Sequence, residues 1–152
     1  DKNKLNKVIK ILKKENRKIV FTNGCFDIFH IGHLKYLKES KNFGDILMVA
    51  VNTDKSIKNN KGRNRPINTL KDRLEIVSNL HFVDYVISFS EKTPIKLIKE
   101  IKPDILTKGE DYKNIRGIVG YSFVKSYGGS VKIIKSGKNI STSQLLKKGI
   151  TI

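Results

Sequence analysis

The chain has a single cysteine, Cys25, which excludes an intramolecular disulfide and a Cys-rich zinc cage. Long hydrophobic runs are missing too. The most apolar stretch, Ile46-Leu47-Met48-Val49-Ala50-Val51, is far too short to cross a bilayer. No charged-then-apolar secretory leader opens the chain, nothing repeats internally, and no linker divides it. A cytoplasmic protein without a membrane partner is the expectation. Acidic residues are few: 14 Asp and Glu stand against 31 Lys and Arg, leaving a net charge of +17.

That charge has two readings. One is an anionic partner: nucleic acid, acidic lipid or a phosphorylated metabolite. The other is compositional bias, since Lys, Asn and Ile are all abundant, as an AT-rich genome produces. The excess is nearly all lysine, scattered from Lys2 to Lys148, and arginine, the better reader of bases, is scarce. This favours bias plus a small phosphate site, with no nucleic-acid partner expected.

With 152 residues, 38% of them hydrophobic, the chain has the size and apolar content of one domain with a real core, expected to span 1–152. Leu5, Val8, Ile9 and Leu12 recur at helical spacing and predict a helix over 4–15. The chain opens at Asp1 rather than Met, so segment 1–17 reads either as the end of a linker from a longer polypeptide or as a trimmed start. Strands are expected at 18–22, 46–51, 85–87, 104–107 and 131–134. Helices are expected at 33–42, 70–80, from Thr93 to about 102, at 115–127 and at 141–148, with Thr93 as N-cap and Pro94 in the first turn of the third. Residues 55–68, poor in apolar side chains, read as a mobile surface loop. Strands separated by helical crossovers predict an α/β fold, a Rossmann-like doubly wound parallel five-stranded sheet with helices on both faces.

Gly24-Cys25-Phe26-Asp27-Ile28-Phe29-His30-Ile31-Gly32-His33 follows the first strand. In doubly wound sheets ligands sit at the carboxyl ends of strands, beside the next helix. Two imidazoles three residues apart therefore land on the lip of a helix N-terminus, where N–H groups and the helix dipole favour anions. Gly32 removes a side chain and lets a phosphate approach the backbone. The arrangement suits an α-phosphate whose charge grows during in-line displacement. A sugar-phosphate oxygen is already ionised near pH 7, so catalysis reduces to alignment and charge stabilisation, with His30 and His33 as donors. The competing reading is two histidines that merely cap a helix or lie on its first turn.

The His-x-Gly-His signature and the Gly-Cys-Phe-Asp before it resemble the cytidylyltransferase-like nucleotidyltransferase superfamily. Thr22-Asn23-Gly24-Cys25-Phe26-Asp27, Gly44-Asp45, Val49-Ala50-Val51-Asn52-Thr53-Asp54 and Lys61-Gly62 with Arg65-Pro66 extend the resemblance toward one branch. Val83-Asp84-Tyr85-Val86, Pro103-Asp104, Lys108-Gly109-Glu110-Asp111-Tyr112 and Ser141-Thr142-Ser143 do the same. That branch is the D-glycero-β-D-manno-heptose 1-phosphate adenylyltransferases of ADP-heptose biosynthesis, which often form the C-terminal half of a bifunctional kinase/adenylyltransferase. The resemblance implies a Mg-ATP substrate, a sugar 1-phosphate partner, ADP-heptose and pyrophosphate as products, and a homo-oligomer. Two positions depart from the branch, which commonly has Thr at Ser143 and a second glycine at Glu110.

Carried onto this chain, the resemblance assigns His30, His33 and Lys61 to catalysis, with Mg2+ arriving on ATP and no metal ligands in the protein. Asn23, Gly24, Cys25, Phe26, Gly32, Arg73, Ser141, Thr142 and Ser143 would bind nucleotide. Asp27, Asp54, Arg65, Lys108, Gly109 and Asp111 would bind the second substrate. Several have a plainer reading as well. Lys61 is either a phosphate lid or one more solvated lysine. Arg73 either forks onto a phosphate or pins the loop through a salt bridge. Asp27 and Asp54 either orient substrate or cap their elements, Ser141 either binds triphosphate or is simply an N-cap, and Cys25 is a small packing residue of the turn. His81 reads as structural. Two other functions compete: a cytidylyltransferase acting on glycerol 3-phosphate or another small phosphorylated alcohol, and a basic nucleic-acid-binding domain without activity. The Lys-Gly-Glu-Asp-Tyr segment argues against the first.

Overall fold

Strand β2 (Ile46–Asn52) is buried at all seven positions, and its alternation sets up the layers. Leu47, Val49 and Val51 face one way and join Val20 of β1 (Ile19–Gly24), Leu37 of α2 (Ile31–Lys41) and Val77 of α4 (Leu70–Ser78). Ile46, Met48 and Ala50 face the other way. They meet Ile9 and Leu12 of α1 (Lys2–Lys14), Ile98 and Ile101 of α5 (Ile95–Ile101) and Val124 of α6 (Tyr121–Ser126). With β3 (Tyr85–Phe89), β4 (Ile105–Gly109) and β5 (Ser130–Ile134), the strands form one sheet in the order β3-β2-β1-β4-β5. Every pairing is parallel. The expected doubly wound five-stranded sheet with helices on both faces is present. The structure, a computed structural model, describes residues 2–112 and 114–135. The helix expected at 141–148, with Ser141, Thr142 and Ser143, lies outside them.

The sheet's lower edge uses the scarce acidic residues. Asp104 accepts from the Ile19 N–H, Asp84 from the Leu47 N–H and Asp45 from the Lys18 N–H, each at 2.7 Å. These carboxylates cap strand starts and leave the upper edge to ligand chemistry. Among the described residues, no helix is long and apolar enough to cross a membrane.

Three expectations need correction. Segment 55–68 is not all loop, because Asp54–Lys61 forms α3. Thr53 caps it by accepting from the Ser56 N–H at 3.3 Å, Asp54 lies in its first turn, and fully buried Ile57 anchors it. One buried side chain and a cap are enough where periodicity is too weak to read. Helix α5 begins one residue later than expected, with Pro94 at the N-cap rather than Thr93. The helix expected at 115–127 is split into a 3-10 turn, Ile115–Gly117, and α6, because Gly120 between them has φ of 92°.

A Cβ at Gly120 would lie 2.7 Å from Ile98 Cδ1, in a backbone conformation that L-residues disfavour. Gly120→Ala is therefore expected to destabilise the fold by roughly 2 kcal/mol or more. Urea denaturation checks this; a midpoint equal to that of the parent chain would contradict the packing described here.

Candidate active site

β1 and β4 are the neighbours between which the strand order reverses, and their carboxyl ends mark the place where open α/β sheets hold ligands. From β1 the chain enters the turn 25–30 and then α2. His30 is the N-cap of α2: its Nδ1 accepts from the Gly32 N–H at 3.1 Å. The proton of the neutral ring is thereby fixed on Nε2, which remains a donor. His33, one turn further on, stacks against His30 with ring centroids 3.9 Å apart and planes at 24°. Phe26 packs on the edge of His33 at 5.3 Å and Phe29 lies at 5.5 Å. The expected histidine pair is thus brought together, in an aromatic enclosure.

That enclosure decides protonation. Burial pushes the His33 pKa down to about 4, and the neighbouring His30 and Lys61 charges push the same way. Burial also lowers His30, opposed by the Asp111 carboxylate. Both rings are neutral at pH 7. His33 Nδ1 is buried without a partner among the described residues, so the tautomer protonated on Nε2 leaves only an acceptor unsatisfied. Two uncharged Nε2–H donors result. The pair is suited to hydrogen-bonding an anion, and poorly suited to supplying protons as imidazolium.

Lys61, expected on a mobile loop, is the exposed last residue of α3, near enough for its charge to act on His33. Asp111, beyond β4, acts on His30 in the opposite sense, so the β4 turn also faces the pair. Lys108 is only 5% exposed. It donates to Asn23 Oδ1 and, at 3.1 Å, to the Asn23 carbonyl, and its ammonium lies 5.6 Å from the centre of the Tyr112 ring. Burial brings its pKa down to about 8. Gly109 is open: a Cβ there would meet nothing within 4 Å.

A second group of expected site residues is bonded within the chain. Asp27, 1% exposed, accepts from Arg65 Nε at 2.5 Å and from the Ile67 and Asn68 N–H groups at 2.8 and 2.9 Å. Its carboxylate is enclosed and bonded within the chain, so it holds the turn in place. Arg73 is wholly buried. It donates from Nε to the Asn68 carbonyl at 3.1 Å, from Nη1 to the Cys25 carbonyl at 2.6 Å, and from Nη2 to Asp54 Oδ1 at 2.8 Å. Of the two roles considered for Arg73, these bonds are those of the pin. Asp54 is its ion-pair partner, with a side chain 39% exposed. Arg65 keeps one buried nitrogen, Nη2, without a partner among the described residues. These bonds tie segment 62–69 and α3 to the active-site turn.

Sequence reading missed Asn68, whose amide donates to the Asp27 carbonyl, and Asn52, whose Nδ2 donates to Ser56 Oγ at 3.0 Å beside Cys25. A lone asparagine in a polar stretch carries no periodic signal. Only the Arg65-Pro66 pattern marks the neighbourhood of Asn68.

The depressed His33 pKa has a defined sign. Its unfolded value of 6.5 exceeds the folded one, so its contribution to stability is complete above pH 6.5 and is lost as pH falls through about 4. In 1H–15N spectra the His33 ring should stay neutral, with the proton on Nε2, down to about pH 4. A titration midpoint near 6.5 would contradict the enclosed site.

Residues 21–148 match the Cytidylyltransferase-like family. The chain is 48% identical over 136 residues to the bifunctional protein HldE of Pseudomonas fluorescens (strain Pf0-1), covering 90% of this chain and 28% of that protein. It is 47% identical over 146 residues to HldE of Actinobacillus succinogenes, covering 96% and 30%. The chain therefore spans less than a third of the length of these relatives. Among solved structures, the lipopolysaccharide core biosynthesis protein from Thermoplasma volcanium GSS1 superposes with a TM-score of 0.66 at 38% identity, covering 82% of this chain and 99% of that one. A pantoate-beta-alanine ligase from Francisella tularensis shares the fold, with a TM-score of 0.63 at 18% identity over 96% of this chain and 74% of the ligase. The match over most of its length and the parallel sheet beneath the histidine pair agree: the chain belongs to the Cytidylyltransferase-like family.

Proposed function

We propose that the chain is a nucleotidyltransferase that joins AMP from Mg-ATP to D-glycero-β-D-manno-heptose 1-phosphate, giving ADP-heptose and pyrophosphate. One observation carries the reading: two neutral imidazoles stacked at 3.9 Å on the N-terminus of α2, where the strand order reverses. The α-phosphate of Mg-ATP lies against the Nε2–H groups of His30 and His33. An oxygen of the sugar phosphate attacks that phosphorus in line. A new P–O bond forms, the bond from Pα to the bridging oxygen breaks, and the electron pair leaves with pyrophosphate and its Mg2+. No proton has to be moved, because the attacking oxygen is already ionised.

Uncharged donors are adequate for this step. Charge shifts onto oxygens that the imidazoles and the helix N-terminus already face, at no cost in reorganisation. Lys61 adds positive charge beside His33 from the end of α3. The turn 108–112 is the natural seat of the sugar. Its Asp111 faces the histidine pair, open Gly109 admits a ligand to the backbone, and Lys108 offers a buried ammonium. Ser141, Thr142 and Ser143 complete the reading as triphosphate ligands. A cytoplasmic homo-oligomer is part of the same reading.

The test follows pyrophosphate from the protein with Mg-ATP or Mg-CTP and a panel of sugar and polyol phosphates. Turnover is expected with Mg-ATP and the heptose 1-phosphate. Turnover with CTP alone would overturn the base assignment, and salt-sensitive DNA binding without turnover would overturn the enzyme. His30→Ala should fold and lose about 100- to 1000-fold in kcat. A folded His30→Ala with full activity would remove that residue from the mechanism.

A further inference from the structure

The backbone ladder between β1 and β4 is short. It joins Val20 to Ile105 and Phe21 to Leu106, and no further. Yet β1 stays paired with β2 as far as Gly24 and Val51, and β4 with β5 as far as Gly109 and Ile134. The two central strands therefore part at the level of Thr22 and Thr107, directly below the proposed site. Carbonyls beyond that point take side-chain donors in place of a strand partner.

Tyr36 supplies the main one. Its hydroxyl donates to the Thr107 carbonyl at 3.0 Å and also pairs with Thr22 Oγ1. Ser40, one turn further along α2, donates to the Tyr36 carbonyl at 2.9 Å and lies 3.0 Å from Thr107 Oγ1. Thr22 Oγ1 also lies within reach of the Thr107 carbonyl, at 3.2 Å. Each hydroxyl has one proton, and one assignment that uses every one has Thr22 donating to Tyr36, Tyr36 to the Thr107 carbonyl, Thr107 to Ser40 and Ser40 to the Tyr36 carbonyl. Thr22, Ser40 and Thr107 are fully buried and Tyr36 is 8% exposed. On the same two strands, Lys108 Nζ donates to the Asn23 carbonyl.

Apolar packing alone leaves a helix free to slide or roll slightly on a sheet, because the hydrophobic effect has no direction. Directional bonds to two separated strands remove that freedom. Tyr36 follows His33 by three residues and so lies one turn along the same face of α2. Any shift of α2 at Tyr36 is transmitted to the histidine pair at its N-terminus. We propose that Tyr36 is a positioning residue: its hydroxyl locks α2 to the parted ends of β1 and β4, and thereby sets His30 and His33 against the strand ends that hold the second substrate. Tyr36 touches neither substrate. In its effect on turnover this inference rests on the nucleotidyl-transfer reading; in its effect on the imidazoles it does not.

The experiment pairs steady-state kinetics with 1H–15N spectra of the histidine rings, for Tyr36→Phe and Ser40→Ala, well below the unfolding temperature. Phe keeps the volume and removes the hydroxyl. Tyr36→Phe is expected to lower kcat roughly 10- to 100-fold, as small misplacements of reacting groups do, with KM for ATP nearly unchanged. The His30 and His33 resonances should shift together, and Ser40→Ala should act in the same direction but less. A folded Tyr36→Phe with parental kcat and unmoved imidazole resonances overturns the proposal, even if its melting temperature falls, since that would be a purely structural role. Should Tyr36→Phe not fold, Thr22→Val, which removes the partner hydroxyl, decides by the same readouts. If the parent chain turns over no substrate pair, the reaction assignment fails instead. The imidazole resonances then judge Tyr36 alone, and unmoved resonances overturn its role.

Discussion

Two imidazole rings 3.9 Å apart in a partly desolvated enclosure cannot both be charged, and the rest of the site follows from that constraint. Neutral rings with Nδ1 facing the protein present Nε2–H as fixed donors, one by accepting from the Gly32 N–H and the other by enclosure between aromatic rings. Positive potential then has to come from elsewhere. The N-terminus of α2 provides part of it, Lys61 adds charge from the end of α3, and Lys108 holds a buried ammonium in β4. Fixed dipoles and distant charges suit phosphoryl chemistry, in which charge moves between oxygens and no proton transfer is required.

Such a pair works only if its surroundings are rigid. Two buried clusters hold the turn that leads into α2. Asp27 gathers Arg65 and the backbone of segment 67–68, and Arg73 joins the carbonyls of Cys25 and Asn68 to Asp54. Removing one partner from a buried ion pair typically costs about 3 to 5 kcal/mol, so the Asp27–Arg65 pair is expected to be intolerant of change. Below them, the hydroxyls of Tyr36, Ser40, Thr22 and Thr107 fix the helix to the strands. The +17 charge is largely separate from this machinery: it comes from lysines spread along the chain, while two of the few arginines are drawn into the internal clusters.

The sheet and its helices were readable from the sequence because buried strands and amphipathic helices have strong periods, as in 46–51 and in Leu5, Val8, Ile9 and Leu12. The histidine pair was readable because its spacing, its glycine and its place after a strand coincide. Helix α3 was not, since a single apolar residue, Ile57, and a threonine cap determine it. Asp27 and Arg73 were recognised as important, but burial decides whether a charged side chain faces a ligand or its own backbone, and burial has no local signature. The hydroxyl ladder was invisible for a related reason: Thr22 and Thr107 are 85 residues apart, and only the parting of two strands makes their partners necessary.

A crystal structure of the chain with a non-hydrolysable ATP analogue and Mg2+ would locate the triphosphate. The α-phosphate is expected within about 2.7 to 3.1 Å of Nε2 on His30 or His33, with both rings still stacked on the first turn of α2. A triphosphate bound elsewhere, with both Nε2 atoms out of reach of any phosphate oxygen, would contradict that placement.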